Sequence, residues 1–447
     1  MEKTYRPYEP DQVFLLPPSL RDWLREDHPV FLISDIVDHL DLSAITDVYE
    51  REGRGYPPYH PRMMTKLLLY AYAIGVPSSR KIAQRCEEDL AFRVLTANNT
   101  PDFRTISDFR KRHLPALAAL FRQILQCCQK AGLVKLGVVA LDGTKVLANA
   151  SKHKAMSYGR MQTEGQRLAQ EVQELLAQAE ATDAAEDARH GAERRGDELP
   201  AELARRETRL ATIRAAMAAL ETEAQAAAAS AGPGPAAPAA PQARRGLPPG
   251  TPAPKAQRNF TDPDSRIMKN ADKAFVQAYN AQAAVEESHQ IIVAQALTNQ
   301  AADAPHAVPL VDAVQANTGE SPQRVLADAG YWSEANAQAL AARGIEPLLA
   351  PERLKHNTPR PPAPRGRIPK HLSPRDRMRR RLGTKRGRTL YARRKGIIEP
   401  VFGCIKRARG FRQFLLRGLA KVQAEWALIC TGHNLLKLVG SGKWAVA

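Results

Sequence analysis

Two short β-rich runs, each closing on an aspartate, constrain this chain most. Leu136-Gly-Val-Val-Ala-Leu ends at Asp142-Gly-Thr-Lys, and Arg324-Val-Leu-Ala ends at Asp328-Ala-Gly-Tyr. Short apolar runs of this kind fit strands covered on both faces, in a sheet flanked by helices. An acid at the end of such a strand stands over a cleft, although an Asp-Gly step also simply opens a turn. Residues 274–285 and 290–298 read as two further strands joined by Glu286-Glu-Ser-His as a hairpin. Helices over about 304–317 and 333–343 and a strand over 345–350 complete a mixed α/β pattern.

The 447 residues leave room for two or three domains. Residues 1–131 read as helices. Pro61 opens a mostly buried helix, and Gly75-Val-Pro-Ser-Ser ends it and offers an N-cap to a basic helix carrying Arg80 and Lys81. Helix, glycine turn and basic helix form an arrangement that can read DNA, and many core helix pairs share it. A second basic helix, with its cap at Thr105 or Ser107, carries Arg110. From 159 to 230 the composition turns Ala/Glu/Arg/Gln-rich, with Leu168, Val172, Leu175 and Leu176 on one stripe and Leu203, Leu210, Ile213, Met217 and Leu220 on another. A break at 191–200 makes this an antiparallel helical hairpin, and 231–255 is a Pro/Ala-rich extended or disordered linker. The block 155–257 is thus an insertion without chemistry of its own, splitting a catalytic domain into 132–154 and 258–440.

The net charge of +18 is local. Residues 352–421 hold 23 Lys and Arg against three acids, Glu352, Asp376 and Glu399, while the rest of the chain is nearly balanced. Such density marks a surface for a polyanion, with nucleic acid the leading partner. Glu399 sits among Arg393, Arg394, Lys395, Lys406 and Arg407, on a stretch where Ile397, Ile398, Val401, Phe402 and Ile405 fall at helical spacing. Alone, it reads as a salt-bridge partner. Joined with Asp142 and Asp328, it completes a set of hard oxygen ligands able to hold two Mg²⁺ or Mn²⁺ ions, with the flanking cations on phosphates.

Other acids carry weaker signals. Asp262 and Asp264 read as turn formers, and Asp303 and His306 either line the cleft or start a helix. Glu425 lies on an apolar last helix, and Trp332 either stacks on a base or joins the core. The five cysteines form no Cys-x-x-Cys pair, and the histidines show no ligand spacing. No apolar run reaches the ~18 residues of a membrane span, and the first residues lack a signal peptide's apolar core. A cytoplasmic, nucleoid-associated location is expected.

Several stretches resemble the bacterial insertion-sequence transposases of the DDE type: Leu141-Asp-Gly-Thr-Lys, Tyr279-Asn-Ala-Gln, Ala327-Asp-Ala-Gly-Tyr, and Tyr391 to Lys406 with Arg409-Gly-Phe-Arg-Gln-Phe after it. Pro61-Arg-Met-Met-Thr-Lys and Thr105-Ile-Ser-Asp-Phe-Arg resemble the N-terminal domain of such enzymes. The resemblance implies an RNase H-like mixed sheet with a helical N-terminal DNA-binding domain. It places Asp142, Asp328 and Glu399 in the metal-binding triad, and the Tyr-Arg-Glu-Lys signature on Tyr391, Arg394, Glu399 and Lys406. Here four residues, rather than the usual three, separate Arg394 from Glu399, so Arg394 and Lys395 compete for the arginine's part. The activity implied is cleavage of element ends and joining of the 3′-OH to target DNA, by a homodimer on double-stranded DNA carrying terminal inverted repeats. A metal-dependent nuclease of the same fold and a non-catalytic DNA-binding protein are the alternatives, and the intact acids argue against the second.

Overall fold

The computed structural model describes residues 19–50, 57–190, 201–230, 248–270, 272–353, 361–369 and 371–444, with side chains of 178–190, 201–203 and 230 excepted. The expected hairpin break at 191–200 and most of the 231–255 linker lie outside these residues.

The N-terminal part is helical, as α1 (Pro29–Asp38), α2 (Ser43–Glu50), α3 (Pro61–Ala73), α4 (Ser79–Glu88), α5 (Leu90–Thr96), α6 (Phe103–Arg112) and α7 (Leu114–Lys130). Pro61 stands at the first position of α3, where its missing N–H costs nothing. The cap of α6 is Asp102, whose Oδ1 accepts from the N–H groups of Arg104 and Thr105, and not Thr105 or Ser107 as the sequence suggested. A carboxylate one residue before the helix reaches two orphan donors that a hydroxyl inside it cannot.

Strand β1 (Val138–Leu147) follows. It is longer than the apolar run implied, because its pairing with β5 continues past Asp142, opposite Ala283, to Leu147, opposite Ala278. Next come β2 (Ala155–Ser157), α8 (Tyr158–His190), α9 (Ala201–Ser230) and β3 (Gln257–Asn259). Strands β2 and β3 pair at the neck of the helical hairpin. The hairpin buries Tyr158, Met161, Leu168, Leu210, Ile213 and Leu220 in a small core separate from the main one. Then follow β4 (Arg266–Lys269), β5 (Phe275–Glu286), β6 (Ile292–Thr298), α10 (Ala307–Thr318), β7 (Arg324–Ala327), α11 (Glu334–Ala342) and β8 (Glu346–Leu349). The chain closes with α12 (Pro374–Gly383), α13 (Lys385–Gly403), a π-helical turn at Cys404–Ala408, and α14 (Leu419–Gly440).

The main sheet runs β6-β5-β1-β7-β8, with β4 also on β5. β5 is antiparallel to both β6 and β1, whereas β1, β7 and β8 are parallel. Three antiparallel strands followed by two parallel ones make the RNase H-like core. The apolar faces of α3, α7 and α14 join this sheet in one continuous core, so the N-terminal helices are packed onto it. α14 is buried on most faces, as its sequence implied.

Asp262 and Asp264 do more than form a turn. Asp262 Oδ1 accepts from the Gly418 N–H and Asp264 Oδ2 from the Leu419 N–H, so both satisfy donors at the start of α14. Gly75 ends α3 with φ +84°, and a methyl group on it would collide with the Arg409 carbonyl oxygen. Arg409 is itself buried and donates through Nη2 to the carbonyls of Tyr72 (2.8 Å) and Ile429 (3.0 Å). Gly75→Ala therefore lowers stability by ~1–3 kcal/mol, from left-handed strain and from displacement of that backbone. Urea unfolding reads it directly, and an unchanged midpoint would contradict the contact.

Candidate active site

The site begins with strand register. β1 and β7 pair in parallel only from Val138 opposite Arg324 to Leu141 opposite Ala327. The next residue on each strand is an aspartate, so Asp142 and Asp328 emerge side by side, on strands ~4.8 Å apart. There the strands part: β7 ends, while β1 continues against β5 with Asp142 opposite Ala283.

Helix α13 supplies the cation. Ile397, Ile398 and Val401 bury its inner face. Arg394 lies one turn before Ile398 on that face and donates through Nη1 to Asp142 Oδ2 at 3.1 Å. Lys395 points to solvent, so Arg394 is the cation that meets the carboxylate. The other Asp142 oxygen accepts from the Gly143 N–H at 2.9 Å. Burial pushes the Asp142 carboxyl up to about 6; Arg394 opposes that rise and the charge of Asp328 adds to it. Asp328 accepts from the Gly330 N–H through Oδ1, and Oδ2 lies 4.0 Å from the exposed Arg353. Burial works against the charge on Arg394, but Asp142, Tyr391 and Asp328 more than offset it and raise its pKa.

The remaining signature residues hold the walls. Tyr391 donates through its hydroxyl to the carbonyl of Ala327, the last residue of β7, at 3.3 Å. Lys406 donates to the Thr144 hydroxyl and to the Lys145 carbonyl (2.9 Å), tying the π-helical turn to β1. Burial lowers the Lys406 pKa, with Asp142 working the other way. Pro400 lies within α13 and has no N–H for the Gly396 carbonyl; Gln290 Nε2 donates there instead, at 2.9 Å.

Glu399 is not gathered with the aspartates. Five residues beyond Arg394, it stands ~140° away around the helix. It is exposed and, among the described residues, has neither a hydrogen bond nor an ion pair. Among the described residues no group of three or more His, Cys, Asp or Glu side chains is close enough to hold a metal ion. Asp142 and Asp328 nevertheless suit a hard divalent cation in kind: oxygen donors, adjacent, partly buried and mutually repelling.

The cations expected on DNA divide into two groups. Lys395, Arg407, Arg80 and Lys81 are exposed, and Arg80 lies 5.1 Å over the ring of the partly exposed Phe103. Arg110 is a correction. It shares a helix face with Ile106 and Phe109, is buried, and donates to the Pro77 carbonyl (2.6 Å), the Ser79 hydroxyl (3.0 Å) and Tyr72. It braces α6 against the α3–α4 turn and does not reach solvent. Glu425 accepts from the N–H groups of Leu415 and Leu416, and Trp332 packs against the core. The sequence singled out Asp303 only as one of two readings, yet it lies between the two aspartate loops.

A family model described as a transposase domain (DUF772) matches residues 18–112, and one described as a transposase DDE domain matches 250–435. The second span contains Asp303, Asp328 and Glu399; Asp142 precedes it and joins the group through strand register. No curated protein and no solved structure matches the chain.

Removing the Arg394 guanidinium strands Asp142 beside Asp328. Arg394→Ala should cost about 1–3 kcal/mol, and Asp142→Asn in that background should restore part of the loss. A double-mutant cycle in urea measures this coupling, and strict additivity would contradict the pairing.

Proposed function

Because the chain belongs to the insertion-sequence transposases of the DDE type, we propose that it hydrolyses DNA at element ends and joins the freed 3′-OH to target DNA, with Asp142, Asp328 and Glu399 holding two Mg²⁺ or Mn²⁺ ions. The observation that carries this reading is the register that sets Asp142 and Asp328 side by side where β1 and β7 part. When bound, such ions supply Lewis acidity at both the attacking and the leaving oxygen.

The chain's own residues do the rest. Arg394 orients one Asp142 oxygen and offsets the charge that burial penalises, which keeps the pair ready for cations. Tyr391 and Lys406 fix the strand ends on either side, so the carboxylates do not drift apart. Glu399, exposed on α13 here, would complete the set in a DNA-bound arrangement of that helix, and this movement is part of the proposal. Lys395 and Arg407, both exposed on the same stretch, take backbone phosphates, as do Arg80 and Lys81 on α4.

The helical part, 1–131, is assigned to grip the element ends, the parts 132–154 and 258–440 to perform the chemistry, and 155–257 to neither. Joining needs two ends in one complex, so the active species is a homodimer on DNA.

Asp142→Ala, Asp328→Ala and Glu399→Ala should each lower cleavage of a terminal-repeat duplex by at least ~10³-fold, with gel-shift affinity unchanged. Full cleavage by any one of them removes that residue from the triad. Supplying pre-cut ends and target plasmid tests joining: strand-transfer products are expected, and cleavage without joining would make the protein a nuclease. Replacing Lys395 and Arg407 by Ala should reduce the salt dependence of binding by about one to two phosphate contacts. An identical slope would place the DNA elsewhere.

A further inference from the structure

Asp303 is the point where three separate motifs meet. Its Oδ1 accepts from Asn280 Nδ2 (2.7 Å), Gln282 Nε2 (2.8 Å) and Lys145 Nζ (3.3 Å). The Gln282 Oε1 in turn accepts from the Tyr331 hydroxyl. Thus Asp142-Gly-Thr-Lys, Tyr279-Asn-Ala-Gln and Asp328-Ala-Gly-Tyr each send a side chain to this carboxylate or to its immediate partner. The Tyr331 hydroxyl is held protonated first by burial and then by Asp303, Asp142 and Asp328, so all three acids lie within its electrostatic reach.

The glycines of the two aspartate loops point to the same place. Neither Gly143 nor Gly330 has a positive φ, so conformational freedom does not explain them. A methyl group on Gly143 would collide with Gln282 Nε2 and stand 2.6 Å from Asp303 Oδ1 and 2.9 Å from Asn280 Oδ1. One on Gly330 would stand 2.8 Å from Asp303 Oδ2 and 3.0 Å from Asp328 Oδ1. The absent side chains leave the space through which Asp303 passes between the loops. Helix capping does not account for this acid either: Asp303 precedes a short 3₁₀ turn, and its side chain caps nothing. While Oδ1 is tied three ways, Oδ2 has no donor among the described residues and shares its space with Asp328.

We propose that Asp303, its charge already paired with Lys145, is a positioning residue of the metal centre that sets the separation of the Asp142 and Asp328 loops. This rests on the metal-dependent reading above. Carboxylates that orient first ligands typically govern metal affinity by about 10–100-fold.

The test is a Mn²⁺ titration of the full-length protein followed by thermal unfolding. Wild type should gain Tm with Mn²⁺, and Asp142→Asn should not. Asp303→Asn should need about 10–100-fold more Mn²⁺ for half of the gain, and Asp303→Glu should recover part of it. Gly330→Ala, which crowds Asp303 against Asp328, should shift the midpoint in the same direction and keeps the test alive if Asp303→Asn does not fold. Wild-type midpoints in Asp303→Asn and Gly330→Ala, even with a lower metal-free Tm, overturn the role of Asp303 and leave the metal site standing. No response in wild type, or an equal one in Asp142→Asn, removes the metal site and the Asp303 proposal with it.

Discussion

Two carboxylates on adjacent parallel strands repel one another, and much of this structure serves to keep them together. At a separation near strand spacing, two full charges in a partly buried site cost about 3 kcal/mol at an effective dielectric of 20. The four-residue pairing of β1 with β7 supplies the geometry. Arg394, at 3.1 Å from Asp142, supplies the compensating charge. Burial still outweighs that help, which is why the Asp142 carboxyl sits at about 6. A site in this condition is more favourable once positive charge enters it.

The supports of the site extend well beyond the sheet. α13 reaches it from the basic stretch, with Gln290 replacing the hydrogen bond that Pro400 cannot make. The π-helical turn after α13 carries Lys406 to β1, and a few residues later Arg409 is buried against α3 and α14. Burial lowers the Arg409 pKa to about 10, which leaves it charged at neutral pH. One short segment therefore braces both the wall of the candidate site and the N-terminal helices. The expected domains share a single core, and the hairpin of α8 and α9 keeps its own.

Much of this was legible in the sequence, because apolar runs ending in an acid are a local signal. Asp142 and Asp328 stood out for that reason, as did the hairpin of β5 and β6 and the burial of α14. What failed depended on faces and partners. Arg110 read as a DNA contact from the density of basic residues, yet its spacing from Ile106 already put it on the buried side of α6. The same logic separates Arg394, one turn before Ile398, from Lys395. β1 is longer than its apolar run because residues 142–147 are held by pairing with β5, a partner that no local pattern names. Asp303 remained ambiguous since its partners, Asn280 and Gln282, come from another strand and only register brings them to it. Glu399 shows the converse: its surrounding cations read as salt-bridge partners, yet among the described residues its exposed side chain pairs with none of them.

The most direct test of the account is to locate Mn²⁺ by anomalous scattering in crystals of the protein bound to a terminal-repeat duplex. Two ions about 3.5–4 Å apart are expected at Asp142 and Asp328, with Glu399 brought to the same centre. Ions bound away from Asp142 and Asp328, or no bound ion beside a correctly seated DNA end, would contradict it.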